Sequence, residues 1–318
     1  MKPIQLKLPT IFEGMTVNAW LFLEPEPTLI DCGEKTDKLW EALVEGLKDN
    51  GLTVRDLKKV IITHAHLDHM GMAKRITEES DATIWVNEYT YPWAVDLKTM
   101  LDRRTEAIVG VMKDHLPEKH LEKYFGFGYE MLAPYWDEIP ADRVAVFPME
   151  GPIEFGGTTW EIIYAPGHCI NQTCFFQRES GHFLSADMLL KIIPNPIIDA
   201  GIEAPFTREK SLLVQLDSYK KIAQLPIKVA FPGHFEAIYN APELIEKQVD
   251  KIWQRTEKCF QLIESGVQQT LPLVDKIYPN RVNNATVFMT IGFLDILQDA
   301  GRIKSFRDTN GLLSYVIC

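Results

Sequence analysis

The stretch Thr63-His64-Ala65-His66-Leu67-Asp68-His69-Met70-Gly71 places four metal-capable side chains within six residues. Upstream of it, residues 57–62 form an apolar run with β-branched residues that predicts a buried strand. Gly71 and the residues after it predict a turn that leads into a helix. The four side chains are therefore predicted on a loop at the carboxyl end of a strand, where α/β proteins commonly build their sites.

Three further metal-capable residues follow predicted strands later in the chain, namely His168, Asp187 and His234. Pro-Gly pairs directly precede both histidines and favour tight turns that let the backbone approach a site. A surface histidine cluster would explain the first stretch alone. It does not explain metal-capable residues at four strand ends.

Together these positions supply five imidazoles and two carboxylates, from His64, His66, Asp68, His69, His168, Asp187 and His234. Seven ligands suit two divalent ions, with three imidazoles on one, two imidazoles and a carboxylate on the other, and one bridging carboxylate. Nitrogen and oxygen donors without a thiolate fit zinc first, then manganese, iron or cobalt. Two such ions about 3.5–4 Å apart can share a hydroxide nucleophile.

These residues resemble the metallo-β-lactamase superfamily over about residues 15–240. Leu29-Ile30-Asp31-Cys32-Gly33 looks like the first motif of that family, whose Asp lies near the metals without usually ligating them. The resemblance implies an α/β fold, an αββα sandwich with a dinuclear site at one edge. It also implies a ligand assignment: His64, His66 and His168 on the first metal, Asp68, His69 and His234 on the second, and Asp187 as the bridge.

The resemblance also helps to separate reaction classes at His66. Flavodiiron oxidoreductases of the superfamily carry Glu at the corresponding position, whereas hydrolytic members carry His, so hydrolysis is favoured over redox chemistry. We predict that a bridging hydroxide attacks an ester-type carbonyl, with Asp68 and Asp187 as catalytic carboxylates. A tyrosine could donate to the developing oxyanion, and the candidates are Tyr89, Tyr91, Tyr124, Tyr129 and Tyr135.

The chain divides into a metallo-β-lactamase-like domain over residues 1–240 and a C-terminal helical, winged-helix-like domain over residues 241–318. A mostly helical insert over about residues 87–140 is rich in aromatic residues and Met. Its aromatic residues form either the buried face of a helical hairpin or a lid over an apolar pocket. The second interpretation favours a small-molecule substrate with an apolar acyl part: a lactone, a thioester or a carboxylic ester.

Three other functions stay open. The C-terminal segment resembles an appendage of a subgroup that includes ribonucleases, so phosphodiester cleavage is an alternative, although the net charge of −11 opposes nucleic acid as a partner. Iron-dependent persulfide dioxygenases keep His at the position of His66. A non-catalytic binding protein is the third alternative, which the complete ligand set disfavours.

Composition indicates an ordinary globular protein of 318 residues, 46% of them hydrophobic. No run approaches the roughly 18 apolar residues of a membrane span, so we expect no membrane association. The N-terminus lacks the apolar core of a signal peptide, and five scattered cysteines predict free thiols, so we expect a cytoplasmic protein. A homodimer through the insert or the C-terminal segment is left open.

Several other residues are predicted to have structural roles. Cys32, Cys169 and Cys174 are expected to pack in the interior as thiols. His115 and His120 are expected on a solvated helix face. The pair Arg103-Arg104 is expected to be exposed surface charge rather than a binding site for an anionic substrate group.

Overall fold

Two β-sheets form the centre of the fold in a computed structural model that describes residues 2–12, 14–125, 133–203 and 206–318. The first sheet contains, in spatial order, β1 (Ile4–Pro9), β2 (Thr16–Phe22), β3 (Thr28–Ile30), β4 (Lys59–Ile61), β5 (Thr83–Asn87) and β6 (Val144–Phe147). β1, β2 and β3 pair antiparallel, and β3 to β6 pair parallel. Parallel strands therefore bring their carboxyl ends to one edge of this sheet.

The second sheet has five strands: β7 (Gly151–Phe155), β8 (Thr158–Tyr164), β9 (Thr173–Gln177), β10 (His182–Ala186) and β11 (Val229–Pro232). They lie in the order β11-β10-β9-β8-β7, and β10 and β11 run parallel. A separate hairpin joins β12 (Ile303–Arg307) to β13 (Leu313–Ile317), as the turn signal at 308–311 predicts.

Ten helices are present in the described residues. They are α1 (Asp37–Asp49), α2 (Leu67–Met70), α3 (Ala73–Glu79), α4 (Tyr91–Val95), α5 (Leu97–His115), α6 (Glu118–Phe125), α7 (Ser211–Ile222), α8 (Ala241–Glu264), α9 (Thr270–Ile277) and α10 (Asn284–Asp299). α1 shows how sequence determines such an element. Thr36 caps its first turn by accepting from the Leu39 N–H, and its apolar stripe is buried, although Val44, predicted on that stripe, is exposed. Within the described residues, no helix has both the length and the apolar character needed to cross a bilayer.

Three apolar layers confirm the predicted αββα sandwich. An aromatic-rich core that includes Phe22, Phe155 and Trp160 lies between the two sheets, with Phe155 stacked on Trp160 at 5.0 Å. A second core joins the first sheet to α1, α3, α4 and α5. A third joins the second sheet to α7 and α8 and extends into α9 and α10. The facing strand ends of both sheets are left at one rim, where the predicted ligands lie.

Several apolar side chains in the described part of the helical insert and three of the five cysteines are buried as expected. Trp93, Met112 and Trp136 of the insert are buried in apolar clusters, as the helical-hairpin interpretation requires. All five cysteines are free, and Cys32, Cys169 and Cys174 are buried as predicted. Phe127, Tyr129 and Met131, which belong to the same aromatic run, lie outside the described residues.

The prediction of a solvated face for His115 is wrong. His115 is 5% exposed, its Nδ1 lies 2.9 Å from Thr270 Oγ1 in α9, and its ring stacks on Tyr315 of β13. His120 is half-buried. The charged residues around His115 suggested a surface helix, but the C-terminal segment covers that face of α5. Burial lowers the pKa of His115 to about 4, with Arg208 adding to the effect.

This buried histidine should make stability depend on pH. In the unfolded chain it takes up a proton as the pH falls below about 6.5, whereas the folded chain resists until about 4, so protons favour unfolding in this window. The shift corresponds to roughly 3 kcal/mol of stability that is present above pH 6.5 and lost as the pH approaches 4. We expect His115→Gln to flatten this loss in urea unfolding curves. A variant with the pH dependence of the parent chain would contradict the expectation.

Candidate metal centre

The rim of the sandwich brings all seven predicted ligands together. His64 and His66 follow β4, Asp68 and His69 lie in α2, His168 follows β8, and Asp187 and His234 follow β10 and β11. Among the described residues, three overlapping groups have donor atoms within 4.8 Å of one another: His64, His66 and His168; His64, His69 and Asp187; and Asp68, His69 and His234. Their assignment to two metal ions stays a prediction.

Local backbone geometry aims these side chains inward. The pairing of β10 with β11 shifts register between Leu184 and Ala186, and Ala186 has a φ of 42°, which turns the chain just before Asp187. Gly233, just before His234, lies so close to the cluster that an added Cβ would meet Asp187 Oδ1 and come within 2.7 Å of His69 Cε1. At this position only hydrogen fits, which explains the glycine of the second Pro-Gly pair.

The first three imidazoles converge on a single point. His66 Nδ1 lies 3.0 Å from His64 Nε2 and 3.1 Å from His168 Nε2. Zinc–nitrogen bonds of about 2.0–2.1 Å in a tetrahedral site separate ligand atoms by roughly 3.3 Å. The donor spacing therefore fits a metal ion of this kind.

The second set converges around Asp187. Its Oδ2 lies 3.3 Å from His234 Nε2 and 3.5 Å from His168 Nε2, and its Oδ1 lies 3.5 Å from His69 Nε2. Asp68 Oδ2 lies 3.4 Å from His234 Nε2. His69 Nε2 and Asp187 Oδ1 are buried without a hydrogen-bond partner, which is costly unless a ligand satisfies them. This arrangement places Asp187 between the two donor sets, where a bridging carboxylate would lie.

Outer hydrogen bonds fix the orientation of four imidazoles. The Nδ1–H of His168 donates to the Asn195 carbonyl at 2.8 Å, and that of His234 donates to the Thr16 carbonyl at 2.7 Å. The Nδ1–H of His69 donates to Asp31 Oδ2 at 2.8 Å, and that of His64 donates to Thr63 Oγ1 at 2.9 Å. Each bond aims Nε2 into the cluster, the arrangement that metal-binding histidines use.

Asp31 connects the two donor sets. Its Oδ2 accepts both from His69 and from the Thr63 hydroxyl at 2.8 Å, and its Oδ1 accepts from the Thr63 backbone N–H at 2.8 Å. Because Thr63 in turn accepts from His64, one buried carboxylate orients a histidine in each set. Asp31 does so from a φ of 59°, a left-handed conformation that Asp and Asn adopt most readily.

Replacing Asp31 by Asn should weaken the centre without straining the backbone. The amide nitrogen of Asn would face donors from Thr63 and His69, so at least one outer bond would be lost. We expect metal affinity and turnover to fall about 10- to 100-fold, as is usual when such a partner is removed. Equilibrium dialysis against zinc measures the affinity. An unchanged affinity would show that these bonds do not orient the ligands.

Charge separates the histidines into two kinds. Burial and the neighbouring histidines lower the pKa of His64, and burial with His168 and Arg104 lowers that of His66, so both are neutral at pH 7. Burial alone would lower the pKa values of His69 and His234, but the carboxylates of Asp187 and Asp68 outweigh it. The pKa of His69 is therefore raised, and that of His234 is raised to about 10. The pKa values of Asp68 and Asp187 are lowered, despite burial, by the same histidines. Carboxylates that hold cationic imidazoles here would equally favour a metal dication.

Sequence reasoning missed the residues that hold these loops in place. Asn18 Nδ2 and Trp20 Nε1 of β2 both donate to the Pro232 carbonyl, at 2.9 and 3.0 Å, and so tie the turn before His234 to the first sheet. Asn171 Oδ1 accepts from the Ala65 N–H at 3.1 Å, between His64 and His66. Amide side chains next to strands carry no distinctive sequence signal, so only the three-dimensional arrangement reveals them.

The prediction of surface charge is wrong for Arg104. Its side chain is 11% exposed and its Nε lies 2.5 Å from Asp199 Oδ1. Nη1 approaches the Ala65 carbonyl at 3.4 Å, and the guanidinium lies 3.9 Å from the ring centre of Trp93. Asp199 lies 95 positions away in sequence, and a partner so distant is not visible in a local charge pattern. Arg103, by contrast, is exposed, as predicted.

The candidate tyrosines are dispersed. Tyr89 lines an apolar cavity beside the cluster, and its ring meets Tyr164 edge-on at 5.7 Å. Tyr91 packs against the core of the first sheet, and Tyr135 is half-buried. Tyr129 and the side chain of Tyr124 lie outside the described residues. Of the candidate tyrosines that the structure describes, Tyr89 is the one that lines this cavity.

Known proteins share the fold and the sequence pattern. The sequence profile of the Metallo-beta-lactamase superfamily matches residues 13–234. The probable metallo-hydrolase YqjP of Bacillus subtilis is 26% identical over 312 residues, which cover 96% of this chain and 95% of that protein. The thioesterase pkgB of Emericella nidulans is 23% identical over 177 residues, 54% of this chain and 47% of that protein.

A solved structure resembles the entire chain. The metallo-beta-lactamase family protein TTHA1429 of Thermus thermophilus superposes with a TM-score of 0.81 at 22% identity and covers 99% of this chain and 98% of its own. At that identity the likeness concerns the fold. The coverage includes the elements from α8 to β13, which lie beyond the matched family region.

Proposed function

The chain belongs to the metallo-beta-lactamase superfamily and is a metal-dependent hydrolase, and we propose that it cleaves an ester-type bond in a small molecule with an apolar acyl part. In this proposal His64, His66 and His168 hold one divalent ion, and Asp68, His69 and His234 hold a second, with Asp187 between them. Zinc fits these donors first. The observation that carries the proposal is an apolar cavity lined in part by Arg104, whose guanidinium also reaches the loop that carries His64 and His66.

This acyl pocket has a volume of about 90 Å³. Its apolar lining comes from α4, α5 and three loops: Tyr89, Pro92, Trp93, Met100, Ile170, Ile202 and Phe206. Glu88, Arg103, Arg104 and Asp199 add charged groups to the wall. A concave, mostly apolar lining with a few polar groups suits an apolar ligand group, and this volume suits an acyl part rather than a whole drug-sized molecule.

Arg104 connects the acyl pocket to the cluster. It lines the pocket, and it also contacts the Ala65 carbonyl, between His64 and His66, and Cys169 Sγ at 3.6 Å, next to His168. In this proposal an acyl chain lies in the pocket with its carbonyl carbon toward the first donor set. The nucleic-acid backbone has no comparable apolar group to fill this space, so the pocket favours the carboxylic substrate classes over cleavage of a nucleic acid.

Divalent ions in such a site lower the pKa of a bound water and polarise a carbonyl oxygen. The chain's own groups would supply the remaining functions. Asp68 is charged and its side chain is 20% exposed, so its carboxylate is accessible to a proton released at the mouth of the site. The side chain of Asp187 is only 6% exposed, so it is shielded from solvent and would fix the spacing of the two donor sets. Tyr89 is the candidate donor to the developing oxyanion.

The similarity to a thioesterase supports a thioester among the three carboxylic classes, although it covers only about half of each chain. We would assay the zinc-loaded protein with p-nitrophenyl butyrate, the butyryl thioester of N-acetylcysteamine, δ-valerolactone and bis(p-nitrophenyl) phosphate. We expect turnover of at least one carboxylic substrate to exceed that of the phosphodiester. Preference for the phosphodiester, or oxygen uptake with a persulfide and no hydrolysis, would overturn the proposal.

Filling the acyl pocket should change chain-length preference. Ile202 lines the pocket and is 38% exposed, so Ile202→Trp would occupy space without breaking the core. We expect kcat/KM for p-nitrophenyl hexanoate to fall about 10-fold, while that for p-nitrophenyl acetate changes little. Val44→Trp, at an equally exposed position on α1, is the matched control. Parallel losses for both esters would argue against the pocket as the acyl site.

A further inference from the structure

A long irregular connection supports both the cluster and the acyl pocket. Residues 188–210, here called the strap, join β10 to α7, and their described part contains no regular helix or strand. Asn195 of the strap orients His168 through its carbonyl, and the Ile197 N–H donates to the His168 carbonyl at 3.0 Å. Asp199 of the strap holds Arg104. The strap therefore carries groups on which both functional regions depend.

Such a segment does not hold itself in place. Ordering each residue costs about 1–2 kcal/mol of backbone entropy, and the strap lacks the repeated hydrogen bonds of a helix or sheet. Its fixed position must come from anchors in neighbouring elements.

Gln248 of α8 is the first anchor. It is 4% exposed, and its Nε2 donates to the carbonyls of Leu190 and Ile192 at 2.6 and 3.1 Å. Its Oε1 accepts from the Tyr219 hydroxyl at 2.5 Å, so the amide is fixed from the opposite side by α7. The nitrogen and the oxygen of this buried amide are both hydrogen-bonded, so the start of the strap is held to the C-terminal segment.

α10 supplies the second anchor. Asp295 is 5% exposed and forms two hydrogen bonds with Arg208 of the strap, at 2.6 and 2.8 Å. Between the two anchors, Ile198 is buried in an apolar cluster with Val287 and Ile291 of α10 and with Met112 of α5. Paired charges and apolar burial therefore hold the centre and the end of the strap.

We propose that the C-terminal segment, residues 241–318, positions the strap, and that Gln248 and Asp295 are positioning residues for His168 and the acyl pocket. The pocket half of this proposal rests on the proposed function. The anchoring half does not, because it concerns only contacts within the chain. In this view the C-terminal segment completes the catalytic part of the molecule rather than recruiting a nucleic acid.

Hydrogen–deuterium exchange of the zinc-loaded protein tests the anchoring. Gln248→Met keeps the volume and removes both donated bonds, and Gln254→Leu, at an exposed position of the same helix, is the control. We expect amides of residues 188–203 to exchange about 10-fold faster in Gln248→Met, with β2 to β5 unchanged. Exchange that rises uniformly, or equals that of the control, would overturn the proposal.

Asp295→Asn provides a second variant in case the first fails to fold, since it retains the shape of the side chain and removes its charge and one of its two hydrogen bonds with Arg208. For this variant we expect KM for p-nitrophenyl hexanoate to rise about 5-fold with kcat nearly constant, and zinc content to be retained. A lowered kcat at constant KM would overturn the pocket half. If no ester is turned over by any form but exchange still rises only in the strap, the anchoring stands and the proposed function fails.

Discussion

Replacing His66 by alanine is expected to remove one metal ion and to lower ester hydrolysis on the order of 10³-fold. His66 Nδ1 lies within 3.1 Å of the donor nitrogens of both His64 and His168, so it is the shared point of the first donor set. Two imidazoles without a third would leave that ion with too few ligands to compete with water. Metal content by mass spectrometry and initial rates with p-nitrophenyl butyrate measure the two effects.

The control for His66→Ala is His182→Asn. His182 lies at the start of β10, on the opposite end of the strand from Asp187, and its ring contacts Phe231 rather than the cluster. This variant should retain both ions and nearly full activity. A His66→Ala protein with two bound ions and the activity of the parent chain would remove His66 from the ligand set.

A single methyl group at Gly233 is expected to have an effect of similar size. A Cβ added at Gly233 would meet Asp187 Oδ1, His69 Cε1 at 2.7 Å and the carbonyl carbon of Ala186 at 3.3 Å. Asp187 and His69 belong to the proposed metal sites, so displacing them should disturb both ions. We expect Gly233→Ala to lose most of its bound metal and at least about 10²-fold in activity.

A second Gly→Ala variant separates this effect from the substitution itself. Gly110 lies in α5, where an added Cβ meets no atom within 4 Å. Alanine there should raise stability by up to about 1 kcal/mol, because it favours helix over glycine. Activity and metal content should stay at the level of the parent chain. If Gly233→Ala also retained its metal, the close packing of that turn against the cluster would be unimportant.

The sequence alone was sufficient for the fold and for the identity of the candidate ligands. β-branched runs followed by His or Asp located the strand ends, and the stripe of α1 located a helix of the first layer. These signals are local, because strand alternation and helical periodicity are repeated within a few residues. The candidate ligand set was readable because histidine is rare in this chain and the candidates lie at or shortly after the ends of such strands.

Other features depended on contacts between distant segments. The charged neighbours of His115 indicated solvent, but α9 and β13 cover it, and Arg104 is buried by Asp199 from the strap. Asp31 was marked by its motif, yet its link to His64 through Thr63 is visible only in three dimensions.

The strap shows the physical reason most clearly. Its residues have no periodic pattern, and side chains distant in sequence help to hold it, beside local bonds from α7. Gln248 bonds to Leu190 across 58 positions, and Asp295 bonds to Arg208 across 87. Sequence by itself therefore identified the candidate metal ligands and the sandwich that presents them. Only tertiary structure decided how those side chains are oriented and what pocket lies beside them, because outer hydrogen bonds and packing arise between segments whose sequences do not reveal their pairing.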